Sequence, residues 1–365
     1  MEDPLDAPPD DGRPLRRGWT TGACATAATK AAYTALLTGS FPDPVQITLP
    51  RGEQPAFALA MEEQGVDYAR AGVIKDAGDD PDVTHGALVM SRVRLLPPGT
   101  GVVFRAGEGV GTVTLPGLPL PPGEPAINPM PREMMRAAIA EVAAAEGATG
   151  DAEIEISIRD GAALALKTWN PRLGIVGGLS VLGTTGVVVP YSCSAWIHSI
   201  HRGVDVARAA GYPHIGASVG ATSETALKRL YGLPDTAIID MGDFAGGLLK
   251  YLRSHPVPKL TIAGGFAKMS KLAAGALDLH SGRSQVDLAA LARLAEERGA
   301  GRDVVAGIAA APTGLAALRL GRELGLGDAV AERAREAAKT ALRGSEVAIE
   351  VLAIDREGNI VGRAG

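Results

Sequence analysis

Cysteine is almost absent. Cys24 and Cys193 stand far apart, so the chain builds neither a disulfide framework nor a Cys-rich zinc site. Aromatic residues fill only 4% of the positions, which leaves Ala, Val, Leu and Ile to make the interior. That palette suits an α/β enzyme better than an aromatic-rich binding module. No basic excess is present either: the formal net charge is −5 and the pI is near 5.8, which excludes nucleic-acid binding driven by the charge of the whole chain. Long apolar runs are missing as well. The most apolar stretch, residues 175–190, is interrupted by Gly177, Gly178, Gly183, Thr184, Thr185 and Gly186, too short and too polar to span a bilayer. Residues 1–15 are acidic and Pro-rich, with no positive n-region and no apolar h-region. No secretory signal is expected, and the protein is expected to be soluble and cytoplasmic, with no membrane or nucleic-acid partner.

What the chain does have is glycine and length. It holds 47 glycines and 25 prolines without a G-X-Y period, in a sequence that is 46% hydrophobic. That rules out collagen and disorder, and means many turns and many places where backbone approaches something closely. The 365 residues suggest two domains. A flexible acidic tail is expected over 1–14 and an α+β domain over 15–165, opened by a helix from Thr20 or Thr21 to Leu37 that stops at Gly39. A hairpin follows over 45–49 and 56–61, then strands near 68–75, 87–96, 101–104 and 152–159, and a helix over 132–145 with Pro131 at its first position. From 166 to 345 the rhythm is that of an α/β domain with a mostly parallel sheet and a helical C-terminal part. Its strands are expected near 174–176, 214–219, 237–241 and 259–263, with helices between. A β-hairpin over 346–365 is expected to pack on the body. The junction between the halves falls within 160–172.

Five segments are candidates for chemistry. Thr20, Thr21 and Gly22 open a helix of small residues whose N–H groups suit a carboxylate or phosphate; an ordinary capped helix packed against a sheet is the equal alternative. The loop Lys75-Asp76-Ala77-Gly78-Asp79-Asp80-Pro81-Asp82-Val83-Thr84-His85-Gly86 concentrates ionisable groups between two apolar strands. Its spacing fits no EF-hand, which leaves a solvated acidic loop or an active-site segment. Asn170 and Arg172, followed by Gly183-Thr184-Thr185-Gly186, form a polar, glycine-rich stretch without the Gly-Lys-Ser/Thr ending of a Walker A loop. Asp240 with Gly242, and Gly264-Gly265 with Lys268 and Lys271, are strand–turn–helix corners, where open α/β sheets hold ligands; loop-closing glycine explains such corners as well. His198, His201 and Asp205 share one helix face, where plain solvent exposure is favoured over metal binding.

In order along the chain, several blocks resemble a known family. They are Gly18-Trp19-Thr20-Thr21-Gly22-Ala23-Cys24-Ala25, the Lys75–Gly86 loop, Gly107-Glu108-Gly109-Val110-Gly111-Thr112-Val113-Thr114, Gly123-Glu124-Pro125-Ala126-Ile127-Asn128-Pro129, Asn170-Pro171-Arg172-Leu173-Gly174-Ile175-Val176-Gly177-Gly178, Leu182-Gly183-Thr184-Thr185-Gly186, Ala263-Gly264-Gly265-Phe266 and Leu277-Asp278-Leu279-His280-Ser281. Together they resemble the CbiD-type cobalt-precorrin-5B C(1)-methyltransferases of cobalamin biosynthesis, from about Arg16 to the C-terminus. Trp19 stands where that family commonly has Tyr.

The resemblance implies methyl transfer from S-adenosylmethionine to carbon 1 of an anionic tetrapyrrole, cobalt-precorrin-5B, giving cobalt-precorrin-6A. It implies a family without the standard S-adenosylmethionine loop, in agreement with Phe244 at a position where that loop would carry glycine. Set against this chemistry, Asp76, Asp79 and His85 are the candidate catalytic groups. Thr20, Thr21, Gly22, Lys75, Asn170, Arg172, Thr184, Thr185, Lys268 and Lys271 are candidates to meet the substrate's acetates and propionates. Asp240, Gly242, Gly264 and Gly265 are candidates for the donor. No protein-bound metal is expected, because any cobalt arrives in the substrate. A homo-oligomer is compatible with the Ala-rich C-terminal helices. A non-catalytic tetrapyrrole carrier, which would lack affinity for the donor, and a metal-dependent hydrolase using Asp79, Asp82, His85 or the His198/His201 pair are the competing readings.

Overall fold

The computed structural model describes residues 13–365, so most of the expected tail at 1–14 lies outside the described residues. The chain divides into two units, one ending at Ser192 and the other running from Cys193 to Gly365. The sequence reading places the junction within 160–172; residues 166–192 instead belong to the first unit.

In the first unit, β1 (Gly18–Trp19) leads into α1 (Thr21–Thr38). Thr20 caps this helix, its Oγ1 accepting from the Ala23 N–H at 3.2 Å, and Gly39 ends it in the left-handed region at φ +79°. Nearly every residue of α1 up to Ala35 is buried. Alanine at these positions lets the backbone come close on every side, since α1 is packed both on a sheet and against a second helix. The remaining elements are β2 (Val45–Gln46), β3 (Ala56–Phe57), β4 (Met61–Gln64), β5 (Ala69–Ile74), β6 (Leu88–Leu95), β7 (Val102–Ala106), β8 (Thr112–Val113), α2 (Pro129–Glu146), β9 (Ala152–Ile158), α3 (Gly161–Ala165), β10 (Ile175–Val176) and β11 (Val187–Val188). The main sheet has the order β4-β5-β6-β9-β7, antiparallel except for the β7–β9 pair. α1 lies across β5 and β6 with α2 beside it.

Two expectations are corrected here. The helix expected over 132–145 begins earlier: Pro129 takes its first position after Asn128, and Pro131 falls inside the first turn. The strand expected at 174–176 does not join a parallel sheet. As β10 it pairs antiparallel with β8, in register Ile175↔Val113. Glycine makes that pairing possible, because a Cβ on Gly111 would lie 2.5 Å from Ile175 Cγ2 and 2.8 Å from the Gly178 carbonyl.

The second unit comprises α4 (Cys193–Ala209), β12 (His214–Ser218), α5 (Ala221–Tyr231), β13 (Ile238–Asp240), α6 (Ala245–Leu252), β14 (Lys259–Gly265), α7 (Phe266–Ala273), α8 (Leu288–Glu297), α9 (Arg302–Ala309), α10 (Gly314–Gly321), α11 (Leu326–Leu342), β15 (Ala348–Ile354) and β16 (Ile360–Ala364). Its sheet runs β13-β12-β14-β15-β16, parallel except for the last strand. Numbered along the unit this is the order 2-1-3-4-5 of flavodoxin-like sheets, which reverses direction between the first and third strands. The expected C-terminal hairpin forms between β15 and β16 and is joined to this sheet: β15 pairs parallel with β14 along its whole length. Among the described residues no helix is long and apolar enough to cross a membrane.

Candidate active site

The acidic loop between β5 and β6 is internally bonded. Lys75 is 2% exposed, and its ammonium donates to the Asp82 carboxylate and to Thr84 Oγ1. Burial alone would raise the Asp82 carboxyl, but Lys75 and Thr84 overcome it and hold it below the usual range. Lys75, expected to meet a substrate carboxylate, is thus held in a buried ion pair with a carboxylate of its own loop. Arg16 holds the Asp76 carboxylate through both guanidinium nitrogens and donates its own N–H to Asp79 at 2.6 Å. With the Gly78 N–H, the Arg16 contact lowers the Asp76 carboxyl to about 2, which makes Asp76 a weak proton acceptor near neutrality. His85 Nδ1 accepts from the Ala77 N–H at 3.1 Å. In the neutral ring the proton consequently sits on Nε2, so the outward-facing edge of His85 is a hydrogen-bond donor. Asp76 is thus held as a carboxylate in an ion pair, and His85 presents an N–H at its free ring edge.

His85 also lines an open cleft of about 380 Å³ whose walls include Met61, Ile74, Val83, Leu88 and Leu164. Ile74 and Val83 are 57% and 40% exposed there, unusual for large aliphatic side chains. Arg159 and Asp160, at the end of β9, lie on the same cleft, and Arg159 has no ion-pair partner among the described residues. Arg159 escapes sequence reading because it falls at the end of a strand without any motif around it.

The helix start of α1 is not open. The Gly22 N–H donates to the Leu182 carbonyl, Ala23 N–H to Thr20 Oγ1, and Cys24 N–H to the Thr20 carbonyl. A Cβ on Gly183 would lie 2.3 Å from Thr20 Oγ1. The glycine-rich loop thus closes onto Thr20 and Gly22, with Thr21 also buried, and the expected anion site at these three residues is filled by the protein's own backbone. Asn170 is buried; its amide donates to the Gly178 carbonyl and accepts from Ser180. Arg172 lies half-buried in the turn Pro171–Leu173. Thr184 is exposed, while Thr185 Oγ1 folds back on Val187.

In the second unit, Asp240 and Ser218 end adjacent parallel strands side by side, and Ser218 lies opposite Ala263 of β14, which runs on to Gly265. Asp240 Oδ1 accepts from the Gly242 N–H, and Trp196 packs 3.2 Å from where a Gly242 Cβ would stand. Gly264 is closed in by Met269 and Val219, whereas nothing lies within 4 Å of a Cβ on Gly265 or Gly220. Ser218 is fully buried, and its hydroxyl has no hydrogen-bond partner among the described residues. Lys268 pairs with the buried Asp243, and Lys271 donates to the Leu279 carbonyl at 2.9 Å. Burial, with Lys268 nearby, lowers the Lys271 ammonium. Both lysines, expected as ligand cations, are here bonded within the 240–280 region. Sequence reading passes over the β12–α5 corner, although Gly216-Ala217-Ser218-Val219-Gly220 between a strand and a helix was a legible signal. His201 stacks on Tyr251 at 3.9 Å and Asp205 accepts from the Tyr251 hydroxyl, which ties the histidine face of α4 to packing.

An open sheet with the 2-1-3-4-5 order and unfilled glycines at its reversal places the second unit in the class of doubly wound α/β domains, whose crevice lies at the strand ends of that reversal. The chain belongs to the CbiD family: the CbiD family model matches residues 9–190, and the model of the CbiD C-terminal domain matches 278–365. It is 64% identical to the cobalt-precorrin-5B C(1)-methyltransferase of Brucella anthropi, over 96% of this chain and 95% of that protein. It is 63% identical to the enzyme of the same name from Rhodospirillum rubrum, over 98% and 99%, and 60% identical to that of Paramagnetospirillum magneticum, over 97% and 99%. The crystal structure of a cobalamin biosynthesis protein (cbiD) from Archaeoglobus fulgidus shares 26% identity, with 69% of this chain and 77% of that one covered and a TM-score of 0.39.

Proposed function

We propose that this protein is a cobalt-precorrin-5B C(1)-methyltransferase that uses S-adenosylmethionine as methyl donor and forms cobalt-precorrin-6A. The observation that carries this reading is the 60–64% identity to relatives of that name over 95–99% of both chains. The donor supplies an electrophilic methyl group, so the protein's task is to position donor and acceptor carbon and to hold their charges.

The residues support that task in two places. In the first unit, the aliphatic walls Ile74, Val83 and Leu164 suit the face of a macrocycle, while Arg159 and the Nε2–H of His85 suit its peripheral carboxylates. Asp79 and Asp76, gripped by Arg16, keep the loop that carries His85 in shape. In the second unit, the donor is assigned to the strand ends around Asp240, Gly242, Gly264 and Gly265. The open space at Gly265 and the spare hydroxyl of Ser218 fit a polar ligand there.

The test is to incubate the purified chain with cobalt-precorrin-5B and S-adenosylmethionine and read the product mass. One added methyl is expected. An unchanged tetrapyrrole that nevertheless binds the protein would replace the enzyme reading with that of a carrier.

A further inference from the structure

Sequence motifs point to the ends of β13 and β14, yet the sheet reverses its order between β12 and β14, and ligands of such sheets bind at the reversal. The turn that leaves β12 there, residues 218–223, has three features pointing to a ligand. Ser218 is a fully buried hydroxyl without a partner among the described residues. It shares a strand face with Gly216, where a Cβ would meet Leu227 of α5 at 2.9 Å, so the Ser218 side chain lies on the α5 side, at the foot of that helix. Gly220, the residue before α5, leaves open space where a side chain would stand, as does Gly265 before α7. The other hydroxyl of the turn is already used: Ser223 Oγ donates to the Gly220 carbonyl and accepts from the Val219 N–H. Asp240 follows Gly220 by twenty positions, at the end of the next strand of the same β-α-β unit. An acid at that place in such a unit accepts from ribose hydroxyls.

We infer that residues 218–223 form the subsite for the amino-acid end of the methyl donor, its carboxylate received by Ser218 Oγ and the first amides of α5, while Asp240 takes the ribose hydroxyls. This rests on the methyltransferase reading above. The division follows from charge: Asp240 repels an anion and accepts from neutral hydroxyls, whereas the helix start offers donors and a positive dipole end. It adds Gly220 to the donor site and assigns Ser218 and Asp240 to separate groups of the donor.

The experiment is calorimetric titration of the full-length chain with S-adenosylhomocysteine and with 5′-methylthioadenosine, which has the same adenosyl group but no amino-acid end. Ser218→Ala removes an unpaired buried hydroxyl and leaves the thermal midpoint unchanged. It is expected to weaken S-adenosylhomocysteine by about tenfold or more, the loss of one hydrogen bond to a charged group, and to leave methylthioadenosine unaffected. Asp240→Asn is expected to weaken both ligands. Gly265→Val, whose Cβ meets nothing in the protein, is expected to weaken both by filling the crevice. If Ser218→Ala leaves S-adenosylhomocysteine binding intact, or weakens both ligands equally, in a protein that still makes methylated product, the subsite is wrong and the activity stands. A wild-type chain that binds neither nucleoside and adds no methyl would remove the methyltransferase reading and the subsite together.

Discussion

Glu350 on β15 is 3% exposed, and alone it would be a costly buried charge. It accepts instead from Tyr231 Oη, from Thr261 Oγ1 at 2.8 Å, from Lys259 at 3.0 Å and from Arg363 at 2.8 Å. Burial pushes its carboxyl up, but these four donors pull it down from 4.5 to about 2. A depressed folded-state value stabilises the protein fully above the unfolded value of 4.5, and the contribution fades as pH falls toward 2. Glu350→Gln leaves the partly exposed Lys259 and Arg363 without their carboxylate and is expected to cost about 1–3 kcal/mol in urea unfolding at neutral pH. The gap to wild type is expected to narrow between pH 4.5 and 2; a constant gap across that range would show that Glu350 is not the titrating group. The same residue-scale logic separates what was legible in the candidate site. That Lys75, Lys268 and Lys271 carry charge was plain; that Asp82, Asp243 and the Leu279 carbonyl consume it was not, because those partners are chosen by the folded loops.

At the scale of elements, close backbone approach does the work that aromatic side chains do elsewhere. α11 and β16 meet at two glycines: a Cβ on Gly327 would stand 1.7 Å from the Val361 carbonyl, and one on Gly362 2.0 Å from the Gly327 carbonyl. Neither neighbour is a side chain that can swing away. Gly327→Ala is therefore expected to destabilise by about 3 kcal/mol, while Gly301→Ala, whose Cβ meets nothing within 4 Å, is expected to be near neutral; urea midpoints of the two variants decide this. Local signals placed most elements correctly. The Thr20 cap and Gly39 bounded α1, and the alternation of strand and helix after residue 214 foretold the parallel sheet. β10 misled because a two-residue apolar strand has no periodicity to say which sheet it joins, and β8, its partner, lies about sixty positions upstream.

Across the whole molecule, a net charge of −5 sets the terms for an anionic tetrapyrrole. Net charge supplies no long-range attraction, so on the reading proposed above affinity comes from cations at the cleft, with a short reach at ordinary ionic strength. Arg159→Ala is expected to weaken tetrapyrrole binding about fivefold and to flatten its dependence on salt; an unchanged salt dependence would move the carboxylates elsewhere. Sequence alone determined the α+β then α/β class, the caps and turns, and the family blocks, since each depends on residues within a few positions of one another. Tertiary structure decided the rest. It filled the α1 helix start with the Leu182 carbonyl, turned His85 into a donor through the Ala77 N–H, and left Ser218 without a partner at the reversal of the sheet. The reason is physical: hydrogen-bond partners and strand order are contacts between distant segments, and no local propensity encodes which distant segment arrives.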